Sequence, residues 1–195
     1  MHNTDTLMHN MVAVYMRAVA ATALPVTLDE LKDQLGIIDD TSMDSHLDNL
    51  LWAAVDKVES DSRRVLMTQT WQMYLDRFPR DAITPQKTPI QTLSHVKYYT
   101  SDVLTTLSGS AYQTDLVSEP GRILPVLGRV WPTTDYNRLN AVQVEFVAGY
   151  ASAALVPRTA RAAVLFAAQQ AYYGCEAGDN YWSLIQRLKA FGWST

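Results

Sequence analysis

Thr68-Gln69-Thr70-Trp71-Gln72-Met73-Tyr74-Leu75-Asp76 is the stretch at which the hydrophobic period of this 195-residue chain changes. Trp71, Met73 and Leu75 alternate with Gln72, Tyr74 and Asp76, so every second side chain can enter a core while the others face water, the pattern of a half-buried strand. The segment before it has a helical period. Leu47, Leu50, Leu51, Ala54 and Val58 recur at the three- and four-residue spacing of a buried helix face, which predicts a helix from the acidic turn Asp39-Asp40-Thr41-Ser42 to Arg64. Its other face, with Asp44, Asp48, Asp56, Lys57, Glu59 and Asp61, reads as solvated surface.

Further toward the N-terminus, Thr27-Leu28-Asp29-Glu30 has the form of a capping box, in which a hydroxyl and a carboxylate satisfy the free amides of a helix start. Leu28, Leu31 and Leu35 then share one face, and Gly36 stands where a helix-ending glycine belongs. The apolar stretch Leu7 to Leu24 ends in Ala21-Thr22-Ala23, which looks like a signal-peptide cleavage site. No Lys or Arg precedes it, however, and Arg17 interrupts it, so it reads as an exposed arm or a helix packed on a partner. A chain lacking residues 1–24 is expected to fold but to assemble poorly. No run reaches the roughly 18 uninterrupted apolar residues of a membrane span.

Toward the C-terminus, further strands are expected over Leu93 to Tyr99, Val103 to Leu107, Tyr112 to Val117, Arg122 to Pro125 and Ala141 to Ala148. Turn formers such as Ser108-Gly109-Ser110 and Pro120-Gly121 separate them. Pro157 then opens an alanine-rich helix to Tyr172 and Tyr173, apolar nearly all round, which predicts packing on its own chain and on a neighbouring subunit. After Gly178-Asp179-Asn180 comes a last segment, Tyr181 to Phe191, with Leu184, Ile185 and Leu188 as its apolar set. The order predicts an α+β fold: a helical framework of N-terminal helices plus a long C-terminal helix, with an inserted antiparallel β region. The expected divisions are an arm over 1–25, the helical core over 26–66 and 156–195, and the β region over 67–155.

Apolar residues make up 48% of the chain and charged residues 18%, enough apolar surface to exclude disorder. A net charge of -4 argues against a protein built to grip phosphates through a basic face. Cys175 is the single cysteine, so no internal disulfide and no cysteine-based zinc site can form. With Glu176 beside it, Cys175 reads as an inert packing residue. His46 and His95 are the histidines outside the N-terminal stretch, and neither sits in a catalytic pattern; His95, in mid-strand, reads as a cross-strand or surface partner. The acidic turn lacks the alternation and glycine of a calcium loop, and no glycine-rich phosphate loop is present. No catalytic residue, cofactor or metal is therefore assigned. The five tryptophans lack interleaved Lys and Arg and are assigned to core and protein contacts rather than to stacking on single strands.

Several segments, taken in order, resemble one family. They are Thr27-Leu28-Asp29-Glu30-Leu31-Lys32, then Ala53 to Glu59, Thr68-Gln69-Thr70-Trp71 with Leu75-Asp76-Arg77-Phe78-Pro79, and Thr88-Pro89-Ile90 leading to Val96-Lys97-Tyr98-Tyr99. The series closes with Val142-Gln143-Val144-Glu145-Phe146-Val147-Ala148-Gly149-Tyr150 and Val156-Pro157 before the alanine-rich helix. It resembles the head-to-tail connector (adaptor) family of tailed phages, prophages and gene-transfer particles, over residues 25–175. The chain departs from the family after the tyrosines, where Gly174-Cys175-Glu176-Ala177-Gly178 replaces a charged segment.

The resemblance implies a structural virion protein in the neck, made in the bacterial cytoplasm. It implies a homo-oligomeric ring, commonly of twelve subunits, joining the portal protein ring above to a stopper or tail-completion protein below. DNA would pass through the lumen without specific binding, and neither catalysis nor a membrane is implied. Within that picture the region Tyr172 to Thr195 is the expected portal-facing element, with Tyr172, Tyr173, Trp182, Leu188 and Trp193 as partner-binding residues. Two other readings remain: a stopper or tail-completion protein of the neck, and a small cytoplasmic enzyme or ligand-binding protein using Asp76, Arg77, Asp81 and His95.

Overall fold

The computed structural model describes residues 13–37 and 40–189. Helix α1, Leu28–Leu35, starts on the expected capping box: Glu30 donates its backbone N–H to Thr27 Oγ1 at 3.1 Å, and Thr27 donates its own to Glu30 Oε2 at 2.8 Å. Helix α2, Asp44–Ser62, buries Leu47, Leu51, Ala54, Val55 and Val58. Helix α3, Arg158–Tyr173, begins one residue after Pro157, which is its N-cap, and α4, Asp179–Leu188, closes the described chain. Ala160, Ala163, Ala167 and Ala168 are buried in α3; side chains this small let α1, α2 and α4 all pack against it. These four helices share one core.

The β region has a core of its own. Strands β1 (Val14–Val19), β2 (Gln69–Leu75), β3 (Ile90–Thr100), β4 (Val103–Thr106) and β7 (Val142–Ala148) form one antiparallel sheet in the order β1-β2-β7-β3-β4. A separate hairpin pairs β5 (Tyr112–Asp115) with β6 (Arg122–Pro125). Trp71 stands opposite Phe146, Met73 opposite Val144 and Leu75 opposite Val142, so the buried alternation of the two central strands falls in register. The fold class is thus α+β, with the β elements between α2 and α3 and one strand ahead of α1.

That leading strand departs from expectation. Part of the segment read as an arm is β1, which covers the edge of β2. The hydroxyl of Tyr15 accepts a hydrogen bond from the Gln86 N–H at 2.9 Å, and Arg17 pairs with Asp56 at 3.1 Å. Val14, Met16 and Val19 stay exposed. An edge strand with apolar residues on both faces shows no alternation to read.

Glu59 is a second correction. The helical period places it on the solvated face of α2, yet it is buried, and its carboxylate accepts from the Leu66 N–H at 2.7 Å and from Gln69 Nε2 at 2.9 and 3.1 Å. Burial pushes its pKa up, against the pull of those donors. The group joins the end of α2 to the start of β2, and helical periodicity does not reveal a buried carboxylate whose donors, Leu66 and Gln69, lie beyond the helix.

Candidate docking surface

Helices α3 and α4 meet through a short turn that begins at Gly174, whose φ of 66° ends α3 while Cys175 N–H donates to the Gln170 carbonyl at 2.9 Å. A groove of 480 Å³ lies at this turn, with Phe166, Gln170, Tyr173 and Asn180 among its walls. Cys175 lies in the same wall and is exposed, which overturns its reading as a packing residue. The apolar run of α3 has ended one residue earlier, at Gly174, so no core lies beneath it.

Tyr181 anchors α4. It is fully buried and donates its hydroxyl to Asp61 Oδ2 at 2.6 Å. Burial, reinforced by the Asp61 carboxylate, pushes its pKa far up, so the phenol remains a donor. Lys57 Nζ lies 5.2 Å from the Tyr181 ring and 5.6 Å from the Trp182 ring, and pairs with Asp61 at 3.1 Å. The two rings meet edge to face at 5.3 Å. Trp182 is therefore positioned by a buried neighbour while 41% of its own surface faces solvent.

Of the residues expected to bind a partner, Tyr173 and Trp182 are exposed, and Tyr172, half-buried, meets the Tyr173 ring at 5.1 Å. Leu188 lies in the helical core. Trp193 falls outside the described residues. Tyr181 and its Asp61–Lys57 pair were not singled out in the sequence; a tyrosine beside a tryptophan carries no mark of which ring is buried.

A second junction ties the two cores together. Arg64, just past α2, donates from Nε to the Leu188 carbonyl at 2.6 Å and grips Glu119, on the β5–β6 connection, with both Nη atoms. Tyr150 Oη stands 3.5 Å from Nη1. Burial works against the charge on Arg64, but the Glu119 carboxylate more than offsets it and the pKa is raised.

His95 Nδ1 lies 3.8 Å from Glu145 Oε1, its registered cross-strand partner, and Glu145 also accepts from Gln72 Nε2 at 2.8 Å. Asp76 accepts from the Asn140 N–H at 2.8 Å, ahead of the start of β7. The Asp81 carbonyl accepts from Trp131 Nε1 at 3.0 Å. Among the described residues there is no cluster of His, Cys, Asp or Glu that could hold a metal, and no helix long and apolar enough to cross a membrane.

Residues 25–112 match the family model described as phage gp6-like head-tail connector protein. No curated protein matches the chain by sequence. Among solved structures, a chain in the virion of a native gene transfer agent particle is 21% identical with a TM-score of 0.76, the match covering 90% of this chain and 94% of that one. A chain from the neck of the empty particle, computed with C6 symmetry, is 21% identical with a TM-score of 0.74, covering 90% and 95%. One from the neck of the native particle, computed with C12 symmetry, is 24% identical with a TM-score of 0.68, covering 92% and 95%.

Proposed function

We propose that this chain, which carries the head-tail connector pattern over residues 25–112, works as a structural connector in the neck of a tailed phage or phage-like particle. It forms a ring beneath the portal and joins the DNA-filled head to the tail. The observation that carries the proposal is continuity: the matched segment runs from α1 through α2 and strands β2 to β4 into a fold shared over nine-tenths of the chain with chains from particle necks. The symmetry of those neck structures supports a ring, and twelve subunits is the number we adopt.

The work of the chain is mechanical rather than catalytic. His95 and Glu145 form a cross-strand pair, and the Asp76 carboxylate is held by the Asn140 N–H. Tyr173 and Trp182, exposed beside the α3–α4 groove, are the proposed portal-side contacts, and DNA passes the acidic ring without specific binding. The helical framework (26–66 and 156–195) forms the connector body and residues 67–155 its β insertion.

Binding order among purified neck components tests the assignment. A connector binds the portal ring with no other neck protein present. A stopper or tail-completion protein, the second reading, binds only after the connector is in place.

A further inference from the structure

We infer that a second copy of this chain lays its residues 1–12 into the groove between β3 and β5, so that neighbouring subunits are joined by an exchanged N-terminal segment. The inference rests on the ring proposed above.

The groove is about 410 Å³ in volume and is lined by Gln91, Thr92 and Leu93 from β3 and by Tyr112, Gln113 and Leu116 among others from β5 and its flanks. Both walls are strand edges. β4 pairs with β3 only over Lys97–Thr100, so the start of β3 is hydrogen-bonded to β7 on one side and has no paired strand on the other among the described residues. β5 is paired with β6 along one edge and likewise has no strand on its other edge. Register shifts between Ile90 and Thr92 and between Leu93 and His95 bend this part of β3 out of a regular ladder. Backbone donors and acceptors along a strand edge are a template for one more extended segment, with side-chain pockets setting which segment fits.

Position and length select the occupant. Residues 1–12 lead directly into β1, the strand at the opposite edge of the same sheet. A head-to-tail ring brings two different surfaces of successive copies together, and opposite edges of one sheet are such a pair. Twelve residues of any chain can span at most about 40 Å, against about 19 Å for the width of a five-stranded sheet, so a segment of this length can cross a seam between copies. Its chemistry suits the walls: Thr4, Thr6 and Asn10 match Gln113, Thr92 and Thr114, Leu7 and Met11 match Leu93, Tyr112 and Leu116, and Asp5 is its one acidic residue.

The test places a photo-crosslinking amino acid at exposed Gln113 in the full chain. Isotopically heavy and light chains are mixed, assembled alone or on the cognate portal ring, irradiated, and read by mass spectrometry. Heavy–light crosslinks from position 113 to residues 1–12 are expected, and a chain lacking residues 1–12 should keep its thermal midpoint while losing most of its assembly. Closed rings whose crosslinks are confined to one copy, or reach another segment or another protein, would overturn the exchange and leave the ring standing. Normal ring yield from the truncated chain would do the same. Heavy–light crosslinks to residues 1–12 in an open oligomer would support the exchange and count against the ring, while no assembly under any condition would count against both.

Discussion

Arg64 and Glu119 form a two-point ion pair, Nη1 to Oε1 at 3.0 Å and Nη2 to Oε2 at 2.5 Å, that joins the end of α2 to the β5–β6 connection. With Arg64 Nε on the Leu188 carbonyl, one side chain holds the end of α4 against the β insertion. Lysine keeps the charge but has no planar fork. We expect Arg64→Lys to lower the unfolding free energy by roughly 1–2 kcal/mol. Glu119→Gln should cost less, and the double variant little more than Arg64→Lys alone. Denaturant titration of the three chains measures the coupling.

Gly149 follows β7 at φ 103°, and a Cβ there would stand 2.2 Å from the Met67 carbonyl oxygen. Its N–H donates to the Pro89 carbonyl and its own carbonyl accepts from Gln91 Nε2, both at 2.8 Å, so the backbone cannot move away without losing both bonds. Gly149→Ala should therefore destabilise the fold by roughly 2–4 kcal/mol, far beyond an ordinary surface change. Thermal unfolding reads the loss.

Trp182 and Leu188 lie on one helix and should separate docking from folding. Trp182→Ala removes an exposed ring and is expected to leave stability within about 1 kcal/mol of the parent chain. Portal binding should weaken at least tenfold. Leu188→Ala opens a cavity in the helical core and should cost roughly 2–4 kcal/mol. Calorimetry and portal-binding titrations on both variants distinguish the two effects.

Glu59 makes the stability of the chain pH-dependent in a defined direction. Its folded pKa is raised above the ordinary 4.5, so the folded state holds this proton more tightly than the unfolded chain. The stability it contributes is complete below pH 4.5 and is lost as pH rises through the raised folded value. Glu59→Gln removes this term. We expect denaturation midpoints of the variant to fall less between pH 4.5 and 7 than those of the parent. A parallel pH dependence would show that burial at this site does not control the proton.

Most elements are legible in the sequence because their signals are local. The capping box at Thr27, the alternation from Gln69 to Leu75 and the alanine run after Pro157 each lie within a few turns of chain, and each marks the element that forms there. Strand order is not local. β2 pairs with β1 and β7, contacts that bridge long stretches of sequence, and nothing in Val14–Val19 alone announces a partner at Gln69–Leu75. β3 begins at Ile90, earlier than its alternation suggests, since the two register shifts break the period. At the docking surface the aromatic content was visible, but which ring is buried depends on Asp61, from a helix more than a hundred residues earlier. Leu188 belongs to the apolar set of α4 with Leu184 and Ile185, and that spacing marks a core residue rather than a contact.

The most direct test of the connector assignment is electron microscopy of the purified chain mixed with its cognate portal ring and no other neck protein. A closed ring of subunits beneath the portal, sharing its axis, is the expected result. A bare, intact portal, occupied only once another neck protein has been added, would contradict it and make this chain a stopper or tail-completion protein.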